Sequence, residues 1–346
     1  MTSRKASFAA GLVVTASLAG IVSGAAAQSL PDLSGQSFVF AGFGGDLQSN
    51  QDIAWLQPFA EATGVTVLQT DAPNSAALAT QQEAGNVTVD VIQIEASVVD
   101  ANCGDMFVEV EIDRSELNSD LDTNACGVPV VKFSFVLAYN ASLYDTAPTS
   151  IGDFFNTEEF PGVRVATSFA NAGLIEAALL ADGVAPSDIY PVDLDRALAR
   201  IDASQDAIEF RDSFAIIQDG IASGEFDMAL IPNGRALNAS LINPDVQVTF
   251  GNAVTLFDNV AIPAGAENIE AATAFLQYTA THSTQVALAE RFPYGVGTVG
   301  PAPNLSEEAI SFFPDTYTDQ LLVQDTDWWG ENIAEVRERV NALFAQ

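Results

Sequence analysis

The residue pattern nearest to a recognised site geometry is Gly295-Val296-Gly297-Thr298-Val299-Gly300, whose G-x-G-x-x-G spacing lets a backbone turn approach a pyrophosphate. Such a site needs a strand before the turn and a helix N-terminus after it. No strand pattern precedes these glycines, and Pro301 and Pro303 stand where the helix would begin, so dinucleotide binding is excluded. Asp120-Leu121-Asp122-Thr123-Asn124 has the opening spacings of a calcium loop, but Ala125 and Val131 occupy the positions that need Gly and Glu. A solvated turn is expected there. His282 has no second His or Cys one helical turn away and no nucleophile nearby in sequence, which leaves a histidine on a helix surface. Neither G-x-S-x-G nor H-E-x-x-H occurs. Carboxylate pairs can in principle carry acid and base steps on a sugar, but spacing along the chain selects no pair. No catalytic residue, metal or cofactor is expected.

The chain has 46 Asp+Glu against 12 Lys+Arg, a formal net charge of -34. A phosphate-tracking surface needs a Lys/Arg stripe that this composition cannot supply, so nucleic-acid binding is excluded. An anionic membrane surface is disfavoured for the same reason. With 48% hydrophobic and 17% charged residues the chain is globular rather than disordered. Its dispersed acidity suits a protein kept soluble in salty surroundings. Residues 1–27 open with Arg4-Lys5, continue through a small and apolar run and end in Ala25-Ala26-Ala27, which reads as a cleavable secretory signal peptide. No later stretch is apolar for long enough to span a bilayer, so a soluble exported protein is expected. Export allows Cys103 and Cys126, the only two cysteines, to pair as a structural disulfide. The alternatives are buried free thiols or a redox pair, for which a C-x-x-C spacing is missing.

The elements that must position any site alternate in type. Residues 37–41 read as a strand, 42–46 as a Gly-rich turn, 50–63 as a helix with Ile53, Leu56 and Phe59 on one face, and 65–68 as a second strand. An amphipathic stretch over 76–84 precedes a third strand over 89–94. This order predicts a doubly wound α/β sheet, in which ligands sit beyond the carboxyl ends of the strands. The loop after the first strand and Glu95 after the third are therefore candidate site positions. The run 128–139 reads as the strand leaving a first lobe. A second α/β set follows, with strands over 163–167 and 227–231 and helices over 174–181, 194–204 and 212–223. Strands over 246–250 and 254–262, an Ala-rich helix over 268–290, a Pro- and Gly-rich segment over 293–303 and a helix over 328–344 complete the chain. The expected division is a first lobe of 28–138 with 252–346 and a second lobe of 139–251.

Several short motifs then fall in one order along the mature chain: Gly44-Gly45, Pro58-Phe59-Ala60-Glu61-Ala62-Thr63-Gly64, Asp90 to Glu95, Cys126-Gly127-Val128, Leu137-Ala138-Tyr139-Asn140, Phe160-Pro161-Gly162, Ala181-Asp182-Gly183-Val184, Asn233-Gly234-Arg235, Ile262-Pro263, Tyr294-Gly295 and Asp327-Trp328-Trp329. In that order they resemble the spermidine/putrescine-type periplasmic solute-binding proteins of ABC transporters. The resemblance implies a type II periplasmic-binding-protein-like fold, two α/β lobes joined by hinge strands with the ligand cleft between them. It also implies closure on a small-molecule ligand, delivery to an inner-membrane ABC permease, a periplasmic location and a monomer, whose lobes are free to swing.

What the resemblance implies for the site depends on matching residues. A cleft for a protonated polyamine pairs carboxylates with ammonium groups and lays aromatic faces on the methylenes. Asp258, just before Ile262-Pro263, is similar in placement to the family's ligand-pairing Asp, and with Glu95 it is expected to hold a cationic nitrogen. The sequence departs from the pattern elsewhere. Pro232 stands where a Trp usually precedes Asn-Gly-Arg, Leu256 or Val260 where an aromatic is expected, and Arg211 where the family often has Trp. An arginine at the cleft would offer two donors to a carboxylate or phosphate; the alternative is a surface arginine beside Asp212. With Asp258 and Arg211 on opposite sides, a smaller zwitterion or polar amine is favoured over a long polyamine.

Phe43, Gly44, Gly45 and Asp46 would bring backbone close to the ligand, with Phe43 an apolar wall or part of a plain turn. Ser134 and Phe135 would line the hinge side, although Phe135 suits the core equally. Ser168, Phe169 and Asn171 precede a helix N-terminus suited to a polar or anionic group. Asn233 would hydrogen-bond from a strand end and Tyr294 would cap the cleft, whereas Trp328 and Trp329 are read as packing. A secreted enzyme with a carboxylate pair in the same cleft, and a sensor handing its closed form to a signalling partner, are the alternatives to a transport receptor.

Overall fold

The computed structural model describes residues 30–344, and the signal peptide expected over 1–27 lies outside them. Period-two alternation along strand β1 (Ser37–Gly42) buries Phe38 and Phe40. These rings meet Phe59 and Phe275, with 5.3 Å between the centroids of Phe38 and Phe275 and of Phe59 and Phe275. Each buried ring contributes about 1.5–3 kcal/mol, so the cluster clamps the following helical run to the sheet. That run is continuous from Gly45–Gln51 through a π-helical turn, Asp52–Leu56, to Gln57–Thr63, and stops at Gly64, whose φ of 75° makes a left-handed cap. It begins before the expected residue 50 because its first turn is polar and carries no repeating apolar face.

The other strands are β2 (Thr66–Asp71), β3 (Val91–Glu95), β4 (Gly127–Asn140), β5 (Arg164–Thr167), β6 (Ile208–Arg211), β7 (Met228–Pro232), β8 (Val246–Ala261) and β9 (Leu322–Val323). They form one curled sheet in the order β2-β1-β3-β8-β4-β7-β5-β6, with β9 beside β8. Two parallel triplets, β2-β1-β3 and β7-β5-β6, thus flank the antiparallel pair of β4 and β8. β3 pairs with the end of β8, from Ile92↔Ala261 to Glu95↔Asp258. β7 pairs with the second half of β4, from Phe135↔Pro232 to Tyr139↔Met228. The two long strands therefore run through both α/β lobes and join them, which is the bilobal arrangement of type II periplasmic binding proteins.

Four expectations need correction. The strands expected over 246–250 and 254–262 are one strand, β8, kinked at Gly251 and Asn252 where Asn252 takes φ 56°, opposite a register shift between Phe135 and Leu137. The Ala-rich helix is two, Ile269–Thr279 and His282–Ala289, because the Thr281 hydroxyl bonds back to the Tyr278 carbonyl and to Thr284. His282 is not a bare helix-surface residue: its ring bonds Thr298 Oγ1 at 2.8 Å and the Pro301 carbonyl at 3.0 Å, pinning the Gly-rich segment. That segment needs Gly297 because a Cβ there would lie 2.1 Å from the Pro129 carbonyl oxygen. Finally, the C-terminal part does not simply return to the first lobe. Phe312, Leu322, Trp329, Val336, Val340 and Leu343 are buried in the second lobe's core with Ile175, Leu198 and Ile231, while helix Thr326–Phe344 also packs closely along helix Ala96–Ala101 of the first lobe, so it bridges the two.

Cys103 and Cys126 are disulfide-bonded, with Cα atoms 5.5 Å apart. Among the described residues no helix is long and apolar enough to cross a membrane, and no cluster of His, Cys, Asp or Glu has metal-binding geometry.

Candidate functional site

β1, β3 and β7 all end at one place between the lobes, and a cavity of about 290 Å³ lies there. This is the position the fold reserves for ligands, beyond the carboxyl ends of strands. Its volume is at the small end for a ligand pocket.

One flank is acidic. Glu95, the last residue of β3, is the direct cross-strand partner of Asp258 in β8, so both side chains leave the same face of the sheet. Asp258 is 3% exposed and Glu95 is partly buried; both line the cavity. The Gln93 amide, two residues before Glu95 on the same face, donates a 2.8 Å hydrogen bond to Asp258 Oδ2 and accepts one of 2.5 Å from Gln51. Asp258 Oδ1 is buried without a hydrogen-bond partner. Burial and then the Glu95 charge push the Asp258 carboxyl up to about 8, with the Gln93 hydrogen bond pulling the other way. Burial likewise raises Glu95, against a smaller downward pull from its own backbone and from Arg337. A buried oxygen with no donor beside a second carboxyl is an environment that a cation would complete.

The opposite flank is basic. Arg235 stands in the first turn of helix Asn233–Ile242, immediately after β7, and lines the cavity. Its nearest hydrogen-bond acceptor is Gln218 Oε1 at 3.5 Å, and it joins no ion pair among the described residues. On a chain so rich in acids, an arginine facing a cavity without a carboxylate partner is suited to an incoming one. The backbone across from it is close: a Cβ at Gly45, where φ is 59°, would lie 3.3 Å from Arg235 Nη2.

An aromatic chain joins the two flanks. Phe169 contacts Phe214, Phe214 contacts Phe135, Phe135 contacts Phe133 and Phe133 contacts Tyr294, each with 5.7 Å between centroids. Phe292 meets Tyr294 edge-on at 4.8 Å. Burial raises the Tyr294 hydroxyl, which Arg235 pulls down and Asp258 pushes further up, so this ring lies in the field of both charges. Such faces suit methylene groups and the edge of an ammonium.

Of the expected site residues, Phe43, Gly44, Glu95, Phe135, Phe169, Asn171, Asp258 and Tyr294 line this cavity. Gly45 and Asp46 stand at its rim, where the Asp46 carboxylate bonds Asn238 of the other lobe. Ser134 does not face it. Alternation along β4 sends Phe133 and Phe135 to the cavity and the Ser134 hydroxyl to Thr255 on the other side, at 2.7 Å. Asn233 is buried and its amide is consumed by backbone, accepting from Ser134 N and donating to the carbonyls of Pro293 and Phe312. Ser168 bonds Asp212. Arg211 is the main displacement: at the end of the edge strand β6 it pairs with Glu209 and lies over the Phe226 ring, outside the cavity lining. The cation on the wall is Arg235. The principle that places Glu95 at the site, a residue at the end of a strand, applies equally to Arg235, which opens the helix after β7. Phe133, Phe214 and Phe292 also line the cavity, and their sequence carries no sign of it because apolar residues on strands and helices read as core.

With fold and site in view, the chain belongs to the bacterial extracellular solute-binding protein family, whose sequence profile matches residues 54–310. Similarity to individual members spans nearly the whole chain. The gamma-aminobutyric acid-binding protein of Pseudomonas aeruginosa is 28% identical over 344 residues, covering 95% of this chain and 96% of its own. The solved Atu4243-GABA receptor superposes with a TM-score of 0.82 at 29% identity, covering 89% of this chain and 97% of its own. PBP AgtB from A. tumefaciens R10, solved in complex with agropinic acid, gives 0.79 at 26% identity, covering 90% and 99%.

Proposed function

We propose that the protein is the receptor of an ABC importer and captures a small zwitterion that bears one ammonium and one carboxylate, of the γ-aminobutyrate class. The observation that carries this reading is the opposed charge of the cavity walls, with Glu95 and Asp258 on one side and Arg235, free of any ion pair among the described residues, on the other. The ammonium sits against the carboxyls, the carboxylate takes the guanidinium fork, and the aromatic chain covers the methylenes between them. The names of two relatives, both binders of γ-aminobutyric acid, support the same ligand class.

The receptor acts as a periplasmic monomer, reached through the signal peptide, and passes its solute unchanged to an inner-membrane permease. Neither nucleic acid nor membrane insertion enters this role. A long polyamine fits the walls less well, because its second ammonium would face Arg235. Calorimetric titration with 4-aminobutyrate, putrescine and spermidine tests the reading. Binding of 4-aminobutyrate at least about 30-fold tighter than of either polyamine is expected, given the 2–5 kcal/mol at stake when one buried charge loses its partner. Equal or tighter binding of putrescine overturns it.

A further inference from the structure

We infer that the solute's ammonium takes the place of a proton shared between Glu95 and Asp258, so that capture expels a proton and release takes one up. The inference rests on the zwitterion reading above. Its ground is geometric: two carboxyls occupy directly opposed positions on antiparallel strands, on one face, at the wall of the cavity between the lobes. Side chains in that relation have Cβ atoms about 4.5–5.5 Å apart, close enough that both cannot carry charge cheaply away from water.

The surrounding groups do not relieve the pair. From β3, Gln93 gives one neutral hydrogen bond to Asp258 Oδ2, while Oδ1 is left bare. Lys132 of β4 leaves the opposite face of the sheet and pairs with Asp315. Arg235 stands on the far wall, and Arg337 of the C-terminal helix draws Glu95 down only as the least of its influences. Asp46 is bonded to Asn238 at the rim, and Asp100 of the helix after β3 to Thr123 and Asn124. In the empty cavity the pair therefore holds one proton and a charge of about −1 near neutral pH, in line with the upward displacement of both carboxyls.

The exchange balances. An alkylammonium enters with its three protons, the shared proton leaves to buffer, and two carboxylates with one ammonium again sum to about −1. The cavity thus accepts a cation without changing its own charge, which avoids trapping an unpaired charge in either state.

Calorimetry of the full chain with 4-aminobutyrate near pH 7, in phosphate and in Tris, reads the proton directly. The observed heat is expected to differ between the buffers in proportion to their ionisation enthalpies, with a slope equal to roughly one proton released per solute. Affinity is expected to rise by up to about tenfold per pH unit below pH 8 and to level off above it. In Asp258→Asn, which removes the carboxyl that burial holds protonated, the released proton is expected to fall toward zero. Binding with the same heat in both buffers overturns the exchange alone; an unchanged proton count in Asp258→Asn overturns the assignment to this pair. Absence of binding in every buffer overturns the zwitterion reading and the exchange with it.

Discussion

The Asp46 carboxylate accepts a 3.0 Å hydrogen bond from the Asn238 amide, and the two residues lie on helices of different lobes. Three residues earlier on the helix that carries Asn238, Arg235 faces the cavity from the second lobe, and its guanidinium approaches Gly45 of the first. The same helix therefore carries a cavity residue and a contact that exists only when the lobes meet. The bond is open to solvent and worth about 0.5–1.5 kcal/mol. Asn238→Ala is expected to weaken 4-aminobutyrate binding about 2–10-fold, mostly through faster dissociation, since related complexes differ chiefly in off-rate. Stopped-flow release kinetics check this, and an unchanged off-rate contradicts it.

Asp258 makes the empty protein's stability depend on pH in an unusual direction. Its carboxyl rises from 3.8 to about 8 on folding, so the folded state holds the proton more tightly than the unfolded chain. The stability this contributes is complete below the unfolded value and is lost as pH climbs through the folded one. Asp258→Asn keeps a polar group for Gln93 and removes the titration. The unfolding free energy of the wild type relative to this variant is expected to fall by up to about 1.4 kcal/mol per pH unit between pH 5 and 8. Urea unfolding across that range measures it; a flat or rising difference contradicts the buried, unpaired state of Asp258.

Glu176 is a second buried acid, held for structure rather than for ligand. It sits in helix Leu174–Ala181, just after the loop that brings Phe169 and Asn171 to the cavity. Its Oε1 accepts from the Tyr190 hydroxyl at 2.7 Å and from the Trp329 indole at 3.1 Å, and burial displaces its carboxyl upward. Glu176→Ala strands these donors and is expected to cost about 2–4 kcal/mol, whereas Glu176→Gln keeps an acceptor and is expected to stay within about 1 kcal/mol of the wild type. Denaturant melts compare the two; equal losses contradict the network.

Much of this architecture was legible along the chain because it follows from local periodicity. Helix Leu174–Ala181 matches its expected bounds, and Glu95 follows as a site candidate simply from ending a strand. The errors occur where tertiary context decides. Arg211 and Glu209 are two apart on an edge strand, hence on one face, and they satisfy each other away from the cavity. Ser134 lies on the wrong face of β4 by one residue. Helix Thr326–Phe344 packs against both lobes at once, something no pattern within the helix encodes. Arg235 lies in the Asn233-Gly234-Arg235 motif two residues after Asn233, whose amide suggests a ligand contact but serves only backbone.

The most direct measurement is a thermodynamic cycle that pairs Arg235 with the carboxylate of the solute. Affinities of the wild type and of Arg235→Ala are determined for 4-aminobutyrate and for n-butylamine, which lacks only the carboxylate. Removing Arg235 is expected to weaken 4-aminobutyrate binding by about 2–4 kcal/mol, or roughly 30- to 1,000-fold, while leaving n-butylamine within a few-fold and while Arg211→Ala changes neither. An equal loss for both ligands, or sensitivity to Arg211 in place of Arg235, would contradict a cavity that holds its solute between opposed charges.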